Sequence, residues 1–225
     1  TLTATVTPPG TGLQTLSATY VLPAGNLQAV RAAFRFGGSA SACTVGPDAT
    51  YDDRDDLVFA VSTELIQNGS FTSGLANWSL FEVPDIMHNN GAGGVFQYHR
   101  ANPTTTTSGQ AVIFQNTGQA VAAGAPLLAQ FDLGNTDTVR KRLSVLVIDG
   151  DFSDLSVCTF WLPANAALRT YQMKTHPTKA WANASMYFYA ASTGTGDYLL
   201  DNVSLKTDAA GSATRVDCVD PTAPT

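Results

Sequence analysis

Charged side chains are scarce in this 225-residue sequence. Asp, Glu, Lys and Arg make up 13% of the chain, against about a quarter of an average globular protein. The net charge is −6, whereas a nucleic-acid-binding protein needs a basic face. The composition therefore argues against a nucleic-acid partner. A surface of neutral hydroxyl and amide groups favours an extracellular or cell-surface location.

Cysteines and long apolar runs are also few. Cys43, Cys158 and Cys218 allow at most one internal disulfide, and their spacing matches no zinc-binding pattern. No run of about 18 apolar residues occurs, so no membrane span is predicted. The chain starts at Thr1 without a methionine or a signal peptide, so we expect a processed product or a fragment.

The common catalytic motifs are missing too. There is no Gly-x-Ser-x-Gly elbow, no His-Glu-x-x-His and no phosphate-binding loop. A glycosidase needs two carboxylates facing each other across a cleft, and most acidic residues of the 64–206 region lie in predicted loops. His99 and His176 have no recognisable nucleophile partner. We therefore expect a protein that is not an enzyme.

Short strands separated by Gly, Pro and Asn fill the sequence instead. Residues 64–206 contain about ten such strands, the rhythm of a β-sandwich. Residues 1–62 contain four shorter ones, at 1–7, 16–22, 30–36 and 57–61. We predict an all-β chain with a small, partial immunoglobulin- or fibronectin-like sandwich over 1–62, a larger sandwich over 63–206 and a tail over 207–225.

An acidic stretch separates the last two strands of the first region. Residues 51–56 place four aspartates around Arg54. The pattern favours a solvated turn at a sheet edge. Calcium binding is the alternative, because hard cations prefer clustered oxygen ligands.

Two distant motifs mark the ends of the larger region. Residues 68–78 read Asn-Gly-Ser-Phe-Thr-Ser-Gly-Leu-Ala-Asn-Trp, and residues 198–205 read Tyr-Leu-Leu-Asp-Asn-Val-Ser-Leu. Together they resemble the opening and closing strands of jelly-roll carbohydrate-binding modules, the galactose-binding-like β-sandwiches of secreted glycosidases. The resemblance covers about residues 64–206. It implies a jelly roll whose first and last strands are neighbours, with Trp78 in the core.

The resemblance also implies a structural calcium where those strands meet. Its ligands would be the Ser70 carbonyl, the side chain at position 72 and the Asp201 carboxylate. Position 72 is Thr72, where the resembled modules usually have glutamate, and calcium affinity falls with ligand charge. The alternative is that Asp201 accepts backbone hydrogen bonds at a strand bend.

The implied proximity of the two ends of the jelly roll also leads to a prediction about the cysteines. If both ends of the jelly roll emerge together, the tail returns towards the first domain. We therefore predict a Cys43–Cys218 disulfide, with Cys158 as a buried free thiol in an apolar strand. A disulfide implies an oxidising compartment.

Aromatic side chains on outward strand faces are the candidate sugar-binding residues. In the run 185–190, Met186 and Phe188 share one face, and Tyr187 and Tyr189 share the other. A phenol is the group more suited to contact with water. For each candidate, a packing role is the alternative. The predicted platform comprises Tyr98, Trp161, Tyr171, Trp181, Tyr187 and Tyr189.

The predicted function is a non-catalytic extracellular module that binds a polysaccharide or glycan as part of a larger secreted or cell-surface protein. The alternative is a structural subunit of an extracellular filament, surface layer or adhesin. In that case the strand at 1–7 would complete the sheet of another copy. Fold resemblance alone does not choose between them, because one sandwich hosts many functions.

Overall fold

A computed structural model describes residues 6–7, 9–19, 26–36, 51–82, 86–91, 93–100, 109–192, 196–207 and 215–223. The chain divides into two compact units, Thr1–Val61 and Ser62–Thr225. Every regular element among the described residues is a β-strand, which confirms the all-β prediction. None of the described residues forms a helix long and apolar enough to cross a membrane.

The first unit contains a two-stranded antiparallel ribbon of β1 (Asn26–Phe36) and β2 (Tyr51–Val61). Arg31 lies directly opposite Asp56 and forms a two-pronged ion pair with it, at 2.7 and 2.8 Å. Opposite charges on facing positions stabilise such a ladder. The acidic stretch 51–56 is therefore the start of a strand, and its prediction as a turn is wrong.

The predicted small sandwich is not seen in the described part of this unit. The runs at 30–36 and 57–61 fall inside β1 and β2. Residues 16–19 are described and are not in a strand. Residues 6–7 are not in a strand either, and residues 1–5 lie outside the described residues, as does Cys43.

The second unit contains the remaining described strands. They are β3 (Thr63–Glu64), β4 (Ser79–Glu82), β5 (Met87–His88), β6 (Phe96–Arg100), β7 (Gly109–Asn116), β8 (Leu127–Asn135), β9 (Lys141–Asp149), β10 (Leu155–Leu162), β11 (Ala166–Thr175), β12 (Ala184–Ser192), β13 (Gly196–Thr207) and β14 (Val216–Val219). All the pairings between them are antiparallel.

These strands form the two layers of a sandwich. A five-stranded sheet has the order β10-β9-β12-β7-β4, and a seven-stranded sheet has the order β14-β11-β8-β13-β6-β5, with β3 paired to β13. Phe131 of the second sheet contacts Phe160 and Phe188 of the first edge to face, with centroid distances of 5.7 and 5.2 Å. The core lies between the sheets, as a jelly-roll sandwich requires.

The two motifs meet beside the middle of β13, as predicted. The Val203 N–H donates to the Gly69 carbonyl at 2.9 Å, and Phe71 and Trp78 are buried with their ring centroids 5.3 Å apart. A Cβ at Gly69 would overlap the Val203 carbonyl. Only glycine therefore permits this approach of opening and closing strands.

Asn68 holds the opening motif in shape. Its amide nitrogen donates to the carbonyls of Gly74 and Ala76, and its amide oxygen accepts from the Ser73 N–H. Its own carbonyl accepts from the Trp78 indole N–H at 3.0 Å. The opening motif is therefore a structural unit centred on one asparagine.

The tail belongs to the second unit, so the predicted return towards the first domain is wrong. Strand β14 pairs with β11, and Cys218 is bonded to Cys158. The Cys43–Cys218 prediction is therefore wrong as well, and Cys158 is buried without being a free thiol. The reason is topological. Strand β10, which carries Cys158, lies at the edge of its sheet, and β14 lies at the edge of the facing sheet.

Candidate functional site

The outward side of the five-stranded sheet carries two rows of side chains that cross it from edge to edge. We call this surface the aromatic face. Alternation along each strand sends one set of side chains into the core and the other onto this face. One row is Thr159, Ser144, Tyr189, Val112 and Phe81. The other is Val157, Leu146, Tyr187, Phe114 and Ser79.

Tyr187 is the centre of an aromatic cluster on this face. Its ring stacks on Phe114 with a centroid distance of 4.6 Å and an angle of 5° between the planes. Phe152, in the turn after β9, meets it edge to face at 5.3 Å. Partial burial raises the pKa of Tyr187, so its hydroxyl remains protonated and able to donate hydrogen bonds at neutral pH.

Trp161 continues the aromatic face at the edge strand β10. Its side chain is 47% exposed, and the Arg140 guanidinium carbon lies 4.3 Å from the ring centroid. Phe81 lies on β4 at the opposite edge of the sheet and is 60% exposed. Large apolar groups exposed together on one surface mark an interaction site more often than scattered ones do.

The face also carries neutral hydrogen-bonding groups between its rings. The hydroxyls of Ser144 and Thr159 bond to each other at 2.9 Å across β9 and β10. The Tyr187 hydroxyl lies 3.4 Å from the Asn116 side-chain oxygen. Neutral hydroxyl groups thus lie beside the rings on this surface.

Three of the six predicted platform residues lie on this face. Trp161 is exposed, and Tyr187 and Tyr189 are half-buried with their neighbours Met186 and Phe188 in the core. The alternation predicted for this strand is therefore confirmed. The sequence did not identify three further rings on this face, Phe81, Phe114 and Phe152. In the wholly apolar run 111–114 period-2 alternation distinguishes no outward position.

The platform prediction is wrong for Tyr98, Tyr171 and Trp181, which are only 3%, 1% and 2% exposed. Tyr98 follows Phe96 onto the core face of β6, and burial raises the pKa of Tyr98 and of Tyr171. None of these three rings is accessible to a polysaccharide.

Trp181 has a structural partner instead of a ligand. Its indole N–H donates to the Asp154 carboxylate at 2.8 Å, and the Thr178 N–H donates to the same oxygen. Burial acts to raise the pKa of Asp154, but these hydrogen bonds and the Arg215 charge outweigh it and hold the pKa below its usual value. Arg215 also donates to the Leu155 carbonyl at 2.8 Å and so ties β14 to β10.

The predicted calcium ligands are only partly brought together. The hydrogen bond from Val203 to Gly69 brings the opening motif, with Ser70 and Thr72, next to the part of β13 that contains Asp201, yet Ser70 and Thr72 are exposed. Asp201 accepts a hydrogen bond from the Asn202 N–H at 2.6 Å where the β13 ladder shifts register, which is the strand-bend alternative. Among the described residues no group of three or more His, Cys, Asp or Glu could hold a metal. A calcium site therefore stays a prediction.

Comparison with known proteins gives matches to solved structures alone, because no family model and no curated protein matches. A carbohydrate-binding module described as CBM4 has 16% identity and a TM-score of 0.46, over 64% of this chain and 99% of that one. A family 16 carbohydrate-binding module has 15% identity and a TM-score of 0.41, over 63% and 98%. In fold, the chain is similar to jelly-roll carbohydrate-binding modules.

Other matches are parts of much longer enzymes. The enzymatically active domain of tailspike protein 4 from bacteriophage CBA120 has 17% identity and a TM-score of 0.47, over 63% of this chain but 21% of that one. The match therefore spans about a fifth of the length of that solved domain. At these identities and TM-scores the matches assign no activity.

Proposed function

We propose that the chain is a non-catalytic carbohydrate-binding module and that a glycan lies across the aromatic face. One observation carries the proposal. The rings of Phe81, Phe114, Tyr187, Tyr189 and Trp161 share one outward sheet face, with the hydroxyl side chains of Ser144 and Thr159 beside Tyr189.

The chemistry of the face fits a sugar. The C–H surfaces of a pyranose pack on aromatic rings, and its hydroxyls pair with neutral donors and acceptors such as Ser144, Thr159 and the Tyr189 phenol. The strands of a sheet lie about 4.8 Å apart, so a five-strand row is roughly 19 Å wide. That width accommodates several consecutive sugar units, so a polysaccharide suits the face better than a monosaccharide.

The remaining parts of the proposal concern the setting of the module. We propose an extracellular or cell-surface location within a larger secreted protein. The Cys158–Cys218 disulfide supports it, because such bonds persist in oxidising compartments.

The proposal is tested by measuring binding of the full chain to soluble polysaccharides by affinity electrophoresis and to insoluble ones by pull-down. The variants are Phe81→Ala and Trp161→Ala, whose side chains are too exposed to be needed for folding. We expect each to weaken binding about three- to tenfold, because each removes one exposed ring of the aromatic face.

The control is Met87→Ala, which removes a 55% exposed apolar side chain from the other sheet and should bind as the unmodified chain does. The proposal fails if no glycan is retained. It also fails if all three variants bind equally well.

A further inference from the structure

We propose that the Trp161 end of the aromatic face receives an anionic substituent of the glycan, a uronate carboxylate or a sulfate ester, so that the ligand is an acidic polysaccharide. This inference rests on the proposed function. It adds a chemical class of ligand and names Arg140 and Arg142 as the residues that select it.

Arg140 is placed to bind an anion. Its guanidinium carbon lies over the Trp161 ring, 4.3 Å from the centroid, and its side chain is exposed. A guanidinium held over an aromatic ring can still use its N–H groups for two-pronged binding of a carboxylate or sulfate. Trp161 therefore fixes the cation in position without consuming its donors.

Arg142 adds a second cation beside the first. It lies directly opposite Trp161 in the antiparallel ladder of β9 and β10, and it is exposed while the next residue, Leu143, is buried. The intervening Lys141 points the other way, is nearly buried and forms an ion pair with Asp137 at 3.1 Å. Two of three consecutive cations thus face outwards around one tryptophan.

Among the residues that the structure describes, no carboxylate on the aromatic face neutralises these arginines. The five strands of this sheet contain two acidic residues, Glu82 and Asp149. Glu82 pairs with His88 at 3.0 Å, and Asp149 is buried and accepts from the Asn183 N–H. The exposed Asp151 belongs to the turn at the far end of the β9–β10 hairpin. Within the described residues the Trp161 end is therefore positive, in a chain of net charge −6.

This polarity favours an acidic ligand over a neutral one. A neutral polysaccharide needs only rings and hydroxyls, which the middle of the face already supplies. An exposed arginine pair attracts an anion over a distance of about 10 Å at moderate salt and binds it through charge-assisted hydrogen bonds. The two arginines should therefore determine charge preference, and the aromatic rings should determine affinity for the sugar backbone.

The test compares glycans that share a backbone and differ in charge. Affinity electrophoresis of the full chain uses polygalacturonate against its methyl ester, and sulfated galactan against agarose. The variant is Arg140→Gln with Arg142→Gln. The control is Lys174→Gln with Lys206→Gln, which removes the same charge from the seven-stranded sheet. We expect the unmodified chain to prefer the charged partner of at least one pair by about tenfold, and the arginine variant to lose that preference.

Raising sodium chloride from about 0.05 to about 0.5 M should erase the preference of the unmodified chain and leave the arginine variant unchanged. If the unmodified chain prefers the charged glycan in only one of the two pairs, that pair shows whether the recognised group is a carboxylate or a sulfate. Equal binding of charged and neutral glycans, still dependent on Phe81, overturns the inference and leaves the proposed function standing. An equal loss of preference in the lysine control also overturns it. Absence of binding to every glycan overturns both.

Discussion

The three tryptophans differ in what their indole groups contact. The Trp78 N–H donates to the Asn68 carbonyl, and the Trp181 N–H donates to Asp154. Both rings are buried, and both N–H groups are satisfied within the protein. Trp161 instead lies exposed beneath Arg140. A tryptophan that is neither buried nor held by its N–H is the one available to a ligand.

Asp201 should make the stability of the folded chain depend on pH. Burial raises its pKa, and the charge of Asp132, which lies opposite it, raises it further, against a hydrogen bond from the Asn202 N–H. A carboxyl group with a raised pKa contributes stability below the unfolded value of about 3.9 and loses it as pH rises through the folded pKa. Without calcium, Asp201→Asn should therefore increase the free energy of unfolding at pH 7, by less than about 1 kcal/mol because solvent screens the site. Urea unfolding at pH 7 and pH 3.5 measures the change, which should disappear at the lower pH.

Calcium reverses this expectation if it binds. Bound calcium would stabilise the folded chain by mass action, and Asp201→Asn would then remove that gain. Thr72→Glu serves as the complementary variant, since it supplies the charged ligand that the motif lacks. An unfolding midpoint that is the same in calcium and in chelator, for the unmodified chain and for Thr72→Glu, contradicts the proposed site.

Sequence alternation distinguished the two sides of some strands and failed on others. It separated Tyr187 from Met186 because the strand has one side in the core and one outside. Alternation along β6 also places Tyr98 on the same side as Phe96, but the sequence alone does not show which side is buried. The hydroxyl group of a tyrosine favours contact with water, yet the core of this sandwich accommodates tyrosine rings.

At the scale of elements, β14 links the two sheets at their edges. It pairs with β11 of the seven-stranded sheet, and both Cys218 and Arg215 connect it to β10 or the turn before it in the five-stranded sheet. Cys158 and Cys218 are 60 residues apart. Closing a loop of that size restricts the unfolded chain substantially.

We expect Cys218→Ser to lower the free energy of unfolding by about 2–4 kcal/mol, the usual contribution of such a crosslink. Urea unfolding with and without reductant measures it, and the reductant should have little effect on the variant. Cys43→Ser is the control and should keep the full sensitivity to reductant. Equal sensitivity of the two variants would contradict the Cys158–Cys218 pairing.

The opening and closing motifs were predictable because close packing fixes their spacing, whereas the tail was not. Gly69 and Val203 must approach each other, and the Asn-Gly and Leu-Asp-Asn-Val patterns reflect that need. Strand β14 has only four residues, and Pro221 and Pro224 follow it within five positions. So short a strand lacks the alternation that would separate it from a linker.

At the scale of the whole molecule, the core belongs to one unit. Its buried residues run from Leu65 to Leu205, whereas the described part of the first unit is a two-stranded ribbon. A lone ribbon buries little apolar surface. Folding of the sandwich should therefore not depend on the first unit.

Deleting residues 1–61 should leave the sandwich folded, with an unfolding midpoint close to that of the full chain and with glycan binding retained. Circular dichroism, urea unfolding and affinity electrophoresis of the two chains make the comparison. Deleting residues 208–225 is the matched truncation, and it should destabilise the sandwich because it removes β14 and Cys218. A shorter chain lacking 1–61 that fails to fold would contradict the division into units.

Fold class followed from strand rhythm and two motifs, whereas the ligand-binding surface needed the register of the strands. Phe81 and Tyr189 are more than 100 positions apart in sequence, and Val112 between them joins them into one row. Sequence alone does not give that order of strands. The sequence around Phe81 therefore does not identify Val112 and Tyr189 as its neighbours, because only the pairing of the strands brings them together.

The crosslink at the sheet edges has a mechanical consequence. A pulling force applied to the chain just after β14 passes through the bonded sulfurs of Cys218 directly into Cys158. The intervening residues 159–217, roughly 200 Å when extended, carry no load until that bond is reduced. A connection through the chain after β14 would therefore stay short under tension in an oxidising medium. It would lengthen once a thiol reagent reduced the Cys158–Cys218 bond.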